Sequence, residues 1–222
     1  MDWDALAVSL WLGAGTLVVL LPPGIWCARQ LAVHDFRGKV LVEALLTVPL
    51  VLPPTVLGFY LLVAFGVRSP LGQAFQALFG QSLPFSFEGL LLASALANIP
   101  FVVQPIQRGF ESIPQDVRDA AACCGLTPWQ RFARIEVPLA WPSILLAAIL
   151  TFAHTLGEFG VVLMVGGNLP GETRTLSVAI YDRMQAFDDR AAGIMAATLL
   201  AIAVSALVTT TLLSQRMSQR RV

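Results

Sequence analysis

Asp119–Pro138 reads DAAACCGLTPWQRFARIEVP, a polar, alanine-rich stretch with one glycine between two helix-forming runs. The chain on either side of it is apolar enough to lie in lipid. Just ahead, Ser112 and Gln115 match an S-x-x-Q capping box, which predicts a helix through Val117, Ala121 and Cys124. Gly125 falls where a left-handed residue ends such a helix, a conformation glycine takes without steric cost. Thr127 and Gln130 form a second box, with Pro128 at the first helical position. A second short helix is predicted from there to Val137-Pro138, where proline breaks it. Three readings suit this helix-turn-helix: an ordered connection, a DNA-binding element, or a knob that docks into a groove on a partner. Tethering at both ends and too few basic residues for a phosphate-tracking face exclude the second. For the third, Ala120, Ala121, Ala122 and Gly125 permit close approach, and Leu126 and Trp129 supply anchors.

Outward from this stretch, composition sets the solvent. Of the 222 residues, 56% are hydrophobic and 13% charged, against about 25% charged in an ordinary soluble domain. So few charges cannot cover a water-facing surface, so lipid surrounds most of the chain. Zero net charge gives no reason to expect nucleic acid. Apolar runs at residues 7–28, 40–65, 89–106, 143–165 and 191–213 each come close to the roughly 20 residues that cross about 30 Å of hydrocarbon. The expected fold is all-α, a polytopic membrane protein of about five transmembrane helices in one domain over residues 1–222. The opening MDWDA is acidic and lacks the basic start of a signal peptide.

Charge placement then orients the spans. Arg29, Arg37 and Lys39, then Arg108, Arg118, Arg131 and Arg134, then Arg216, Arg220 and Arg221 gather on one side. Only Arg68, Arg174, Arg183 and Arg190 fall on the other. Basic residues are retained in the cytoplasm, so the N-terminus is expected outside and the C-terminus inside. Residues 107–142, including the opening stretch, are then cytoplasmic. Leu71, Phe75, Leu78 and Phe79 have helical spacing and predict a short helix on the outer interface. Residues 167–190 are expected to do similar duty after a Pro170-Gly171 turn. Cys27, Cys123 and Cys124 lack a C-x-x-C spacing and read as small, semi-buried hydrophobes.

In the fourth run Thr151, His154, Thr155 and Glu158 recur at i, i+3, i+4 and i+7, hence on one helix face. A carboxylate at mid-membrane costs about 2.5–3.5 kcal/mol on insertion scales, so Glu158 should face a neighbour or a wet cavity. Two readings are open: Glu158 pairs with His154 or a neighbouring helix, or these four residues line a gate. A metal pair of His154 and Glu158 has no third ligand in register, so no metal site is expected. Glu43 should reach the interface or bond a neighbour, and Asn98 and Gln104 read as inter-helix glue. Pro49, Pro53, Pro54, Pro100 and Pro105 would loosen their helices.

Asp119-Ala120-Ala121, three residues, Gly125, nine residues and Ile135-Glu136-Val137-Pro138 together resemble the EAA signature of ABC-importer permeases, E-A-A-x3-G-x9-I-x-L-P. Aspartate stands for glutamate at 119 and valine for leucine at 137. VPLVLPPTVLGFYLL from Val48, followed by SPLG from Ser69, is similar to the second span of molybdate permeases. FAHTLGEFGVVLMVGGNLPGETRTLSVAIY from Phe152 resembles their fourth span and outer loop, with His154 where that family usually has arginine. Sulfate permeases are related and are the nearest rival.

The resemblance implies a type I ABC-importer permease fold and a two-fold dimer with the pore between subunits. It also implies a coupling element seated in a cleft of an ATP-hydrolysing subunit, its contact residues being Asp119, Ala120, Ala121, Gly125, Leu126, Trp129, Ile135 and Pro138. Two ABC ATPase subunits and a periplasmic or extracellular molybdate-binding protein would complete the assembly in the cytoplasmic membrane. With no G-x4-GK[ST] in the chain, ATP and magnesium belong to the partner, and no cofactor or catalytic residue is expected here. The substrate would be molybdate, with tungstate close behind. On this reading Glu158 repels an anion and keeps it from lingering, which uptake by a Glu158→Gln variant would test. An ion-coupled secondary transporter would need repeated halves and charged sites at mid-depth, which are not evident. An intramembrane enzyme fares no better, since Cys123 lies far from His154.

Overall fold

The computed structural model describes the backbone of residues 1–219 and the side chains of residues 1–209. Among these, every regular element is helical. In order they are α1 (Trp3–Val33), α2 (Lys39–Val51), α3 (Pro54–Phe65), α4 (Pro70–Phe79), α5 (Phe87–Glu111), α6 (Gln115–Cys123) and α7 (Pro128–Arg131). A π-helical turn (Phe132–Glu136) then leads into α8 (Val137–Gly157), α9 (Gly160–Gly166), α10 (Leu176–Gln185) and α11 (Asp189–Gln219). Four stretches are long and apolar enough to cross a membrane, and α2 with α3 makes a bent fifth. The side chains of Arg216, Arg220 and Arg221, used above for orientation, lie outside the described residues.

Helix α5 is the centre of the bundle, packed between α1 and α8. Ala28 and Leu31 from α1, Val102, Val103, Ile106 and Phe110 from α5, and Ala140, Ile144 and Ala147 from α8 build one buried cluster. At the other end Leu12, Leu90, Val162 and Val178 build another. Lipid offers no hydrophobic drive between helices, so polar side chains tie them. Thr16 Oγ1 donates to Ser94 Oγ at 3.1 Å, and Gln104 Nε2 donates to Thr47 Oγ1 at 3.0 Å. Gln107 Nε2 reaches Glu43 at 2.8 Å, so Glu43 does bond a neighbouring helix.

Two expected spans differ from a single helix. Residues 40–65 break between Val51 and Pro54, and α2 and α3 meet at 109°. Pro54 has no N–H to continue the ladder and Pro53 holds extended backbone, so the paired prolines turn the chain. Residues 143–165 also divide: α8 starts earlier, at Val137, and stops at Gly157, while α9 restarts at Gly160. Pro100 and Pro105, by contrast, lie inside an unbroken α5.

The two segments expected at the outer interface differ from each other. Helix α4 leaves Leu71, Leu78 and Phe79 exposed, as an interfacial helix would. Helix α10 instead buries Leu176, Val178 and Ala179, so this part of residues 167–190 is packed into the bundle. Its Leu176 N–H is held by Ser9 Oγ of α1 at 2.7 Å.

Candidate functional site

The Asp119–Pro138 stretch folds as two short helices joined by a tight turn. Gly125 has φ +76°. Its N–H donates to the Ala122 carbonyl at 2.9 Å, and the Leu126 N–H donates to the Ala121 carbonyl at 3.2 Å. This bond pair is a Schellman motif, which closes the end of α6. At the start of α7 the expected box is complete: Gln130 N–H meets Thr127 Oγ1, and Thr127 N–H meets Gln130 Oε1 at 2.9 Å.

The other box does not form. Helix α5 extends to Glu111, so Ser112 serves as its C-cap and its hydroxyl donates to the Gly109 carbonyl. Helix α6 begins after Pro114 with no side-chain cap, and Gln115 bonds Asp119 at 2.9 Å. Nor does the second helix stop at Pro138. Val137 N–H reaches back five residues to the Phe132 carbonyl. That wider turn accommodates a proline ring that would otherwise clash with the carbonyl four residues before it. Residues 128–157 thus form one rod of about 45 Å at 1.5 Å per residue.

This element presents Asp119, Ala120, Gly125 and Pro138 on its surface, with Leu126 and Ile135 half-buried and Ala121 buried. Trp129 is 72% exposed, an uncommon place for indole, and stacks beside Phe132 with centroids 5.4 Å apart. Cys123 and Cys124 are exposed rather than semi-buried, because both sit on the outward face where α6 ends.

Behind it lies a residue that sequence reasoning passed over. Glu136 is fully buried and takes Arg29 of α1 at 2.5 Å, Arg118 of α6 at 3.3 Å and Arg131 of α7 at 3.6 Å. Arg131 and Glu136 are five apart, which on an α-helix puts them on different faces; only the π turn brings them together. Arg118 also donates to the Phe110 and Ile113 carbonyls, at 2.7 and 3.4 Å, where α5 ends. Arg29 lies 5.3 Å over the Phe132 ring.

The second candidate region is at mid-bundle. Thr151 and Thr155 are buried, and Thr155 Oγ1 bonds the Thr151 carbonyl at 2.9 Å. His154 does not pair with Glu158. Its Nδ1 is 3.1 Å from Asn98 Oδ1, and its ring stacks on Phe101 with centroids 4.1 Å apart. Asn98 Nδ2 is committed to the Ser94 carbonyl at 2.8 Å, so Oδ1 accepts and His154 Nδ1 carries the hydrogen, leaving Nε2 as an acceptor. Glu158 is past the end of α8, so it leaves the shared face expected for it. It is buried, and its Oε2 has no hydrogen-bond partner among the described residues. The Glu158 carbonyl accepts from Ser177 Oγ at 2.7 Å.

Between α2 and α5, on the side of the Asp119–Pro138 element, opens a polar cleft of about 430 Å³. Lys39, Glu43, Thr47, Gln104, Gln107 and Glu111 line it. Thr47 follows Glu43 by four residues, and Gln107 and Glu111 follow Gln104 by three and seven, so each helix turns one polar face to it.

Comparison with known proteins places this geometry. Residues 21–222 match the family described as "Binding-protein-dependent transport system inner membrane component". The chain is 48% identical over 187 residues to "Molybdenum transport system permease protein ModB" of Azotobacter vinelandii, covering 84% of this chain and 83% of that protein. It is 38% identical to the Escherichia coli K12 protein of the same description, covering 83% and 80%. Against "Sulfate transport system permease protein CysT" of the same organism it is 33% identical, covering 89% and 71%. Among solved structures, a bacterial ABC transporter involved in import of the acidic polysaccharide alginate matches with TM-score 0.71, at 18% identity over 98% of this chain and 79% of that one. The inward-facing MetNI methionine ABC transporter also gives 0.71, at 16% identity over 97% and 94%. The fold is therefore that of type I ABC-importer permeases. With the family match spanning most of the sequence, the chain belongs to the binding-protein-dependent transport system inner membrane components.

Proposed function

We propose that this chain is the membrane-spanning subunit of an ATP-driven importer of molybdate, with tungstate as the close alternative. The observation that carries the reading is its 48% identity to a molybdenum permease over most of both chains, well above its 33% to the sulfate permease. Two copies would enclose the pathway. The α6–α7 element would face the cytoplasm and seat in an ATPase subunit, which binds ATP and magnesium, while a binding protein delivers the anion on the other side. The basic residues gathered near that element support this orientation, with the N-terminus outside.

The geometry supports a mechanical role for the element. An ATPase can bias a transporter only through contacts that differ between its two states. Trp129 offers a large exposed anchor, the Schellman turn fixes the angle of α6 to α7, and the rod of residues 128–157 carries displacement to mid-membrane. The cleft lined by Thr47, Gln104 and Gln107 would be the inner part of the route, with Thr151, His154, Thr155 and Glu158 deeper along it. Thr47, Gln104 and Gln107 would offer a small oxyanion hydrogen bonds there, with Lys39 and Arg108 attracting it and the Glu43 and Glu111 carboxylates keeping it from resting.

Purified with its ATPase and binding protein and placed in vesicles, the chain should accumulate labelled molybdate only with ATP. Unlabelled tungstate should compete strongly and sulfate weakly. Equal competition by sulfate would shift the substrate reading to the sulfate permeases.

A further inference from the structure

We infer that Glu136 is the joint through which movement of the α6–α7 element reaches α1 and α5 as well as α8, an inference that rests on the importer reading above. The rod alone connects the element to α8 only. Near its base the rod's other neighbours meet it through Ala140, Ile144 and Ala147, an apolar contact of the kind along which packed helices slide in shear motions. Its polar tie to α5, His154 with Asn98, lies farther along at mid-bundle.

The Glu136 carboxylate changes this. It sits in the π turn at the base of the rod, hydrogen-bonded by Arg29 and ion-paired with Arg118 and Arg131. Arg29 ends the uncharged part of α1 that begins after Asp4, so it is the charged grip on that helix at this end. Arg118 reaches both ways, ion-paired with the carboxylate on one side and donating to the Phe110 carbonyl in the last turn of α5 on the other. That carbonyl shares the partial negative charge of a helix C-terminus. One carboxylate and one helix end thus face three cations, with the Phe132 ring taking the flat face of Arg29.

Burial makes the joint stiff. A charged group with no exposed surface has no water to exchange for its partners, so each contact with it is costly to give up. The four elements accordingly move as a body. Glu136 is a positioning residue: it touches neither the transported ion nor ATP.

The test uses the complete complex in vesicles and reads molybdate accumulated per ATP hydrolysed. Arg29→Gln leaves Glu136 two of its three guanidiniums, so the element keeps its fold while α1 is released. The ratio should fall about tenfold, within the range of typical coupling energies, and Arg29→Lys should recover part of it. Glu136→Gln should fall at least as far as Arg29→Gln. A ratio within about twofold of wild type in Arg29→Gln overturns the inference, including where uptake and hydrolysis decline together, since that is loss of assembled protein and not of transmission. Absence of ATP-driven uptake by the wild-type complex overturns the importer reading itself, and the joint with it.

Discussion

Gly125 combines φ +76° with open space: nothing lies within 4 Å of where its Cβ would stand. Substitution there meets no clash, and its cost is conformational, about 1–2 kcal/mol for an ordinary residue in left-handed backbone. Asparagine tolerates that region better than alanine, and a β-branched residue worst. Retention of the ATPase on co-purification should therefore rank Gly125, then Gly125→Asn, Gly125→Ala and Gly125→Val, with little change in the melting of the spans. Wild-type retention by Gly125→Val would show that the turn does not set the docking geometry. This part of the site was legible because its signals are local: the Gly125 turn and the Thr127–Gln130 box each need only neighbouring residues. Ser112 misled because a serine before a helix also follows one, and the longer α5 claimed it. Glu136 was invisible for a different reason. Its partners are up to 107 positions away, and the partner nearest in sequence, Arg131, sits at a spacing that α-helical rules discard.

At the scale of elements, the two interrupted spans face each other. A Cβ on Gly160 would stand 2.7 Å from Pro54 Cβ and 3.1 Å from both Pro54 C and Thr55 N. Two of these are backbone atoms, which cannot step aside as a flexible side-chain tip does. Gly160→Ala should therefore destabilise the detergent-solubilised chain by about 1–3 kcal/mol, seen as a lower melting temperature. Gly193→Ala is the matched control, because nothing lies within 4 Å of that site, and it should leave melting nearly unchanged. An unaltered Gly160→Ala would mean that α3 and α9 are not held this closely. The first break had a visible cause in Pro53-Pro54. The second has no proline; the weak helix former there is glycine, at 157 and 160, inside a run apolar enough that length and hydropathy read it as one crossing.

For the whole molecule, native thiols report the orientation proposed from charge. Cys123 and Cys124 are exposed where α6 ends, while Cys27 is half-buried within α1. A membrane-impermeant maleimide should label the paired cysteines in inside-out vesicles and not in right-side-out ones, and bound ATPase should slow the reaction. Labelling in right-side-out vesicles alone would reverse the topology and remove the element from any cytoplasmic partner. Composition made the all-helical, membrane-crossing character legible, since apolarity of a run is a property of its own residues. Which helix lies beside which was not, because pairs such as Thr16 with Ser94 or Gln104 with Thr47 depend on lateral placement that apolar runs leave open.

The facing interruptions at Leu52–Pro53 and Glu158–Phe159 have a mechanical consequence. They give the bundle a waist, where the chain leaves helical geometry for extended backbone at Leu52 and Glu158. Where two copies enclose the proposed pathway, rotation at this waist would let one storey rock on the other and change the bore while each rod stays whole.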